Sequence, residues 1–294
     1  MKQLTIKKKI EGVGIGLHKG EPIPFSLHPL DANSGIVFYQ SDTKTYIEAK
    51  PENIVDTKMA TVIGKDGNTI STIEHLLSAI YAFGIDNMLI KIGASEVPVM
   101  DGSSASFCMM LNEVGIVEQN ANKKVMVLTK AVEVREGNKF SKITPSSNSQ
   151  FLFTVDFNHP AIGFQKYNFN FSKKNYIEQI SRARTFGFLK DVQMLRAQNL
   201  ALGASLENAI VLDDKKIINE DGLRFGNEFV RHKILDAIGD LSLLGMPFLG
   251  NYESFAGSHH LNHLLTKEIL KSKDNYLIKE LEGTTDSSFV KAYA

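Results

Sequence analysis

Residues 231–240 read RHKILDAIGD, and the apolar side chains in and around this stretch predict one uninterrupted helix over 229–244. With about 100° of rotation per residue, one broad face is apolar and consists of Val230, Ile234, Ala237, Ile238, Leu241 and Leu244. The opposite face carries His232, Asp236, Gly239, Asp240 and Leu243. A surface helix usually has lysine and glutamate there, so this face is unusual.

His232 and Asp236 are four residues apart, so their side chains lie one above the other on this face. An imidazole and a carboxylate in this arrangement can ligate one Zn²⁺. The same spacing is more common in a solvated His–Asp pair, and the spacing alone leaves both interpretations open. The interpretation as a metal site is favoured by a second helix that has one apolar face and a histidine on the opposite face.

That second helix is predicted over 73–83, with Ser71 or Thr72 as its N-cap and Gly84 at its end. One face is apolar, and the other carries His75 among small side chains that permit close approach of another helix. We therefore predict that the two helices meet and bring His75 beside His232 and Asp236.

Three ligands would leave a fourth metal position open for water, as in catalytic zinc sites. Glu74 precedes His75 and lies about 100° round the helix, so it need not bind the metal. It could face the water as a general base.

Composition excludes several classes of protein. The 294 residues, 43% of them hydrophobic, predict two domains with packed cores, and the equal numbers of basic and acidic residues (33 each) argue against nucleic acid or an anionic membrane as the main partner. Cys108 is the single cysteine, so any zinc must use histidine and carboxylate ligands. Residues 1–10 contain no signal-peptide-like apolar run, and no stretch approaches about 18 apolar residues. We expect a cytoplasmic monomer without a transmembrane segment.

The order of elements predicts an α+β fold, with two similar layered α/β-sandwich domains whose helices pack between two outer sheets. The N-terminal domain spans 1–119, and the C-terminal domain spans 124–275. Residues 11–20 are interpreted as a glycine-rich loop, residues 117–124 as the linker, and residues 281–294 as a weakly ordered tail. Further helices are expected at 103–114, 172–182, 188–198 and 258–271, and strands at 1–10, 23–28, 35–39, 59–63, 87–93, 125–136, 151–157, 166–171, 208–212 and 248–255.

Seven runs carry a family resemblance: STIEHL (71–76), GIDN (84–87), PVMDGS (98–103), DFNHP (156–160), SRARTFG (181–187), NEDGLRF (219–225) and FVRHKILDAIGD (229–240). In this order, over about residues 3–275, the chain resembles the zinc-dependent UDP-3-O-acyl-N-acetylglucosamine deacetylases of lipid A biosynthesis. The resemblance implies hydrolysis of the N-acetyl group of UDP-3-O-(3-hydroxyacyl)-N-acetylglucosamine, which gives the free amine and acetate. It also implies two sandwiched α+β domains with the active site between them.

The resemblance implies roles for individual residues. The metal ligands are His75, His232 and Asp236, and Glu74 is the base. The Thr185 hydroxyl stabilises the oxyanion, and Lys233 lies near the phosphates. A protonated His259 stabilises the oxyanion or donates to the leaving amine, and Asp240 pairs with it and raises its pKa.

For the substrate, the resemblance implies that Phe157 and Asn158 hold the uracil end and that Lys139 lies near the diphosphate. Each has a simpler alternative: core packing for Phe157 and solvation for Lys139. His18 reaches the substrate from the glycine-rich loop or is an ordinary turn residue.

The resemblance also implies that residues 186–212 form the family's apolar acyl passage, which includes Phe186 and Leu206, with Met59 opposite. Two positions depart from the family pattern: Ala204 replaces a frequent glycine, and Ala256 replaces a frequent lysine.

Three further alternatives stay open. A second His pair, His259 and His263, is a rival metal site without a carboxylate on the same face. Fe²⁺ also suits His and carboxylate ligands. The protein could act on another N-acetylated sugar or be a non-catalytic module that binds nucleotide sugars.

Overall fold

The computed structural model describes residues 1–282, and the tail expected over 281–294 lies outside the described residues from position 283 onward. The first part of the chain forms strands and helices in the order β1 (Lys2–Ile6), β2 (Ile10–Ile15), β3 (Pro22–Pro29), β4 (Ile36–Gln40), β5 (Thr45–Glu48), β6 (Ile54–Asp56), β7 (Val62–Lys65), β8 (Asn68–Ile70), α1 (Glu74–Ala82), β9 (Met88–Ile92), α2 (Ala105–Val114) and β10 (Ile116–Asn122).

The rest of the described chain continues with β11 (Lys124–Leu128), β12 (Val132–Glu136), β13 (Lys139–Thr144), β14 (Ser149–Phe157), β15 (Gly163–Asn170), α3 (Lys173–Gln179), β16 (Phe186–Phe188), α4 (Leu189–Ala197), β17 (Ile210–Leu212), α5 (Glu228–Ser242), β18 (Phe248–Phe255), α6 (His259–Leu270) and β19 (Tyr276–Glu280). Helices and several sheets make this an α+β fold, as predicted from the sequence.

Two mixed sheets dominate the architecture. The first is five-stranded, in the order β2-β3-β9-β4-β5, and the second is seven-stranded, with the path β12-β13-β18-β11-β19 and with β14 joined to β18 and β15. Besides antiparallel ladders, the first contains the parallel pair β4–β9, and the second contains two parallel pairs, β14–β18 and β11–β18. Helix α5 packs on β14 and β15 of the second sheet, and α1 packs on α5.

The contact between α1 and α5 is the centre of the molecule. All nine residues of α1 and most of the fifteen residues of α5 are buried. A Cβ atom on Gly239 would lie 2.1 Å from the carbonyl oxygen of Glu74, so the two backbones touch at this point. The Ser78 hydroxyl also donates to the carbonyl of Leu235 at 2.8 Å. The prediction that the faces with small residues meet is confirmed.

The interpretation of residues 11–20 as one loop is wrong, because Ile10–Ile15 forms β2 and pairs with β3. A Cβ on Gly12 would lie 2.7 Å from the Phe25 ring, and one on Gly14 would lie 2.6 Å from Pro98. These glycines are therefore required by side chains packed on the strand, and the sequence pattern does not distinguish that requirement from a loop.

Three other local predictions need correction. Ile73 occupies the N-cap position of α1 and no side chain caps the helix, so neither Ser71 nor Thr72 has that role. Residues 117–124, interpreted as a linker, are mostly strand β10, which pairs with β1. The sequence also did not predict strands β5, β6, β8, β13, β16 and β19. Of these, β19 is mostly exposed and so lacks the alternation that marks a half-buried strand.

No helix within residues 1–282 combines the length and the apolar character that a bilayer crossing requires.

We predict that Gly239→Ala lowers the free energy of unfolding by about 1–3 kcal/mol, because the added methyl group must displace a backbone carbonyl. In an ordinary helix the same change would stabilise by about 1 kcal/mol. The measurement is chemical denaturation. The control is Gly226→Ala, which adds a methyl group in open space at ordinary backbone angles, with an expected change under about 0.5 kcal/mol. A Gly239→Ala protein as stable as the parent would contradict this account of the helix contact.

Candidate active site

Three predicted metal ligands converge where α1 meets α5. The Nε2 atoms of His75 and His232 lie 3.6 Å and 3.2 Å from Oδ1 of Asp236. One potential ligand atom from each residue lies within 4.8 Å of the other two. The imidazole centroids are 4.9 Å apart, with the rings nearly perpendicular at 88°. The juxtaposition expected from the two helical patterns is therefore present.

The chemistry of this cluster fits a divalent cation. Asp236 Oδ1 is buried and has no hydrogen-bond partner, although two imidazole nitrogens face it. The His232 Nδ1–H group donates to the carbonyl of Ala183 at 3.0 Å, which leaves Nε2 with a free lone pair. Burial lowers the pKa of His232 to about 3, so its ring is neutral, as a metal ligand must be.

Glu74, the first residue of α1, lies beside this cluster and is 3% exposed. Its Oε2 accepts the backbone N–H of Thr61 at 3.2 Å, and its Oε1 lies 3.7 Å from Nε2 of His259. Burial raises the pKa of the Glu74 carboxyl group. This makes the carboxylate a better proton acceptor than a solvated one.

His259 begins α6 and forms an ion pair with Asp240 of α5. Its Nδ1 lies 2.8 Å from Oδ2 of Asp240, which also accepts from the Asn262 side chain at 2.8 Å. Burial favours the neutral imidazole, but the negative charges of Asp240 and Glu74 outweigh it and raise the pKa of His259 to about 9. The ring is therefore a cation at neutral pH, as the family resemblance implied.

Lys233 lies on α5 beside the group formed by His75, His232 and Asp236. Its Nζ donates to Oδ2 of Asp236 at 2.7 Å, so both oxygens of this carboxylate face the site but only Oδ1 is free for a cation. Burial favours neutral lysine, yet the charge of Asp236 raises the pKa of Lys233, which keeps it protonated.

A largely apolar cavity of about 540 Å³ lies next to these groups. Its lining includes five of the residues that the sequence analysis named: His18, Met59, Thr185, Phe186 and Leu206. Phe186 connects the cavity to the candidate metal ligands, since its ring lies 6.4 Å from the His232 ring. Ala204 also lines the cavity.

Both halves of the chain build one wall of this cavity. The backbone N–H groups of Leu202 and Gly203 donate to the carbonyls of His18 and Leu17, both at 3.0 Å. The buried Glu96 carboxylate accepts the backbone N–H groups of His18 and Lys19 at 3.0 Å and 3.2 Å.

The remaining predicted substrate residues do not line the cavity. Phe157 is half-buried and packs edge-on against Phe186, with ring centroids 5.7 Å apart. Asn158 and Lys139 are exposed. His259 and His263 form no three-ligand cluster with a carboxylate within residues 1–282, so this part of the chain lacks the rival metal site.

Thr61 and Asn262 both contact Asp240, and the sequence reasoning missed them. Asn262 follows His259 by three residues on a predicted helix, so helical spacing alone could have placed it near the histidine. Thr61 lies in the strand predicted over 59–63, and no sequence pattern there distinguishes it from an ordinary strand residue.

Comparisons with known proteins identify the family of this chain. Residues 3–271 match the model of the family described as UDP-3-O-acyl N-acetylglycosamine deacetylase. A Campylobacter jejuni protein named UDP-3-O-acyl-N-acetylglucosamine deacetylase is 63% identical over 294 residues, which cover all of both chains. A protein of the same name from Nitratiruptor is 61% identical over 290 residues, 99% of this chain and 97% of that protein. One from Campylobacter fetus is 59% identical over the full length of both. The chain described here therefore belongs to the UDP-3-O-acyl N-acetylglycosamine deacetylase family.

Proposed function

We propose that this protein hydrolyses the N-acetyl group of UDP-3-O-(3-hydroxyacyl)-N-acetylglucosamine in lipid A biosynthesis. The products are UDP-3-O-(3-hydroxyacyl)-glucosamine and acetate. The observation that carries the proposal is the buried meeting of Glu74 and His75 with His232, Asp236 and His259, in a chain that belongs to the deacetylase family.

His75, His232 and Asp236 would hold Zn²⁺, and Fe²⁺ also suits this set of ligands. When bound, the metal supplies Lewis-acid activation of water and of the amide carbonyl. Lys233 keeps Asp236 ionised and directed toward the imidazoles by occupying its other oxygen.

Glu74 acts as the general base of the reaction. It takes a proton from the attacking water as the new C–O bond forms at the acetyl carbonyl carbon. Its carboxylate is held by the backbone of Thr61, so it does not need to reorganise during this step.

His259 carries the complementary proton. As a cation with Nε2 near Glu74, it stabilises the oxyanion of the tetrahedral intermediate and then gives a proton to the leaving nitrogen as the C–N bond breaks. Asp240 orients the ring through Nδ1 and stabilises its charge. The Thr185 hydroxyl assists at the oxyanion.

The cavity is the site for the acyl chain. Its size and apolar lining suit a long hydrocarbon chain, and the contact of Phe186 with His232 supports a position of that chain near the reacting amide. Phe157, Asn158 and Lys139 would contact the uridine diphosphate portion outside this cavity, where the two latter side chains are open to solvent.

The two other candidate functions predict different behaviour. A deacetylase for another N-acetylated sugar would not depend on the acyl chain, and a module that only binds nucleotide sugars would release no acetate. Acetate release from the acylated UDP-sugar, abolished by a chelator and restored by Zn²⁺, separates the proposal from the second of these.

We expect His232→Ala to lose the bound metal, because one of three protein ligands is removed. Metal analysis of the purified protein measures the effect, with circular dichroism to confirm folding. His260→Ala is the matched control, since His260 is exposed and contacts Glu136, outside the cluster. One metal ion per chain in both variants would remove His232 from the ligand set.

Replacing Glu74 with glutamine should lower kcat by about 10²–10⁴-fold, because the amide cannot accept the proton of the attacking water. Metal content should stay the same, since Glu74 is not a proposed ligand. The control is Glu113→Gln, an exposed carboxylate on α2, which should leave kcat unchanged. Near-normal turnover of the Glu74→Gln protein would exclude Glu74 as the base.

Shortening the acyl chain of the substrate should lower kcat/KM by about fourfold for each methylene group removed, from roughly 0.8 kcal/mol of burial energy per group. In Val192→Asp, which places a charge on the cavity wall, this preference for long chains should shrink. Gln193→Asp, one position along α4 and exposed, should retain it. Equal kcat/KM for long and short chains in the parent protein would favour a different N-acetylated substrate.

A further inference from the structure

Thr61 contacts both the proposed general base, Glu74, and the Asp240–His259 pair that supplies the proposed proton donor. It lies immediately before β7, on none of the helices that carry the candidate catalytic groups, and it is 1% exposed. We propose that Thr61 is a positioning residue that fixes the relative placement of Glu74 and of the Asp240–His259 pair. The proposal rests on the function proposed above.

The contacts of Thr61 reach both groups. Its backbone N–H donates to Oε2 of Glu74 at 3.2 Å, and its hydroxyl donates to Oδ1 of Asp240 at 2.5 Å. The hydroxyl oxygen also lies 3.4 Å from Nδ1 of His259. One residue from the first part of the chain thus contacts a carboxylate of α1, a carboxylate of α5 and the first residue of α6.

The hydroxyl has a specific task at Asp240. Oδ2 of this carboxylate serves both His259 and Asn262, whereas within residues 1–282 Thr61 supplies the hydrogen bond to Oδ1. Without that bond the carboxylate keeps its contacts at Oδ2 but loses the one that fixes Oδ1, so its plane can turn further about the Cβ–Cγ bond. Any such rotation moves the acceptor to which the His259 ring is hydrogen-bonded.

The orientation of His259 matters because of what its other nitrogen faces. Nε2 lies 3.7 Å from Oε1 of Glu74, so the proposed proton donor and acceptor bound one small space. Proton transfer requires heavy atoms within about 2.6–3.2 Å of their partners. A substrate amide can meet both groups only if both are held in place, and Thr61 contacts each of them.

Two substitutions separate the hydroxyl from the packing of the side chain. Thr61→Val keeps the shape and the backbone donor to Glu74 but removes the hydroxyl. Thr61→Ser keeps the hydroxyl and removes a buried methyl group. The matched control is Thr266→Val, because Thr266 is also fully buried but its hydroxyl donates to the backbone carbonyl of His263, away from Asp240.

Steady-state kinetics on the zinc-loaded protein should show kcat of Thr61→Val reduced by about 10–100-fold, with KM and metal content little changed. Thr61→Ser should restore most of kcat although its melting temperature falls with the lost methyl group. Thr266→Val should lose stability and keep kcat. In an Asp240→Asn background the effect of Thr61→Val on kcat should largely disappear, since the two residues act through one contact.

A second measurement does not depend on turnover. In the NMR spectrum of the protein, the proton on Nδ1 of His259, assigned by its loss in His259→Gln, should shift or broaden in Thr61→Val and persist in Thr61→Ser and Thr266→Val. Absence of acetate release by the parent protein would refute the proposed function, whereas an unchanged His259 signal and unchanged kcat in Thr61→Val would refute the role of Thr61. Equal losses of kcat in Thr61→Val and Thr61→Ser would refute it as well, because packing rather than the hydroxyl would then be responsible.

Discussion

The close contact between Gly239 of α5 and the Glu74 carbonyl of α1 sets the geometry of everything around it. Glu74 is also the first residue of its helix and immediately precedes His75, while Asp236 and His232 lie three and seven residues before Gly239. Any side chain at position 239 would push the helices apart and separate the imidazoles along with them. The absence of a side chain at Gly239 therefore allows both the close packing of the two helices and the approach of the three candidate metal ligands.

The charged side chains buried where α1 meets α5 explain why the group of His75, His232 and Asp236 suits a cation. Three carboxylates, those of Glu74, Asp236 and Asp240, lie with Lys233 and the protonated His259 among mostly apolar neighbours. Asp236 is paired with Lys233 through Oδ2, but its Oδ1 is buried without a hydrogen-bond partner. A buried carboxylate oxygen without a partner is costly, and a divalent ion beside Asp236 would supply that partner.

The sequence predicted the fold and the site best where the helical spacing of apolar residues coincides with the spacing of potential metal ligands. The helices over 73–83 and 229–244, their facing sides and the meeting of His75 with His232 all followed from helical spacing. The place of His259 came only from the family resemblance, because nothing in the helix that it begins distinguishes it from an ordinary N-terminal turn. Thr61 could not be found in this way, since its importance arises from contacts with residues far away in the chain. Gly12 and Gly14 misled for a related reason: composition does not reveal that Phe25 and Pro98 lie against them.

None of the residues of helix α4 is buried, although the helix forms part of the cavity wall. In this it differs from α1 and α5, which are mostly buried. Substitutions in α4 remove little packing from the hydrophobic core, so they change the free energy of unfolding only slightly. The same substitutions alter the volume and polarity of the cavity that we propose for the acyl chain. Under the proposed function, the preference for acyl-chain length can therefore change through substitutions in this segment, while the buried helices α1 and α5 keep the proposed catalytic groups in place.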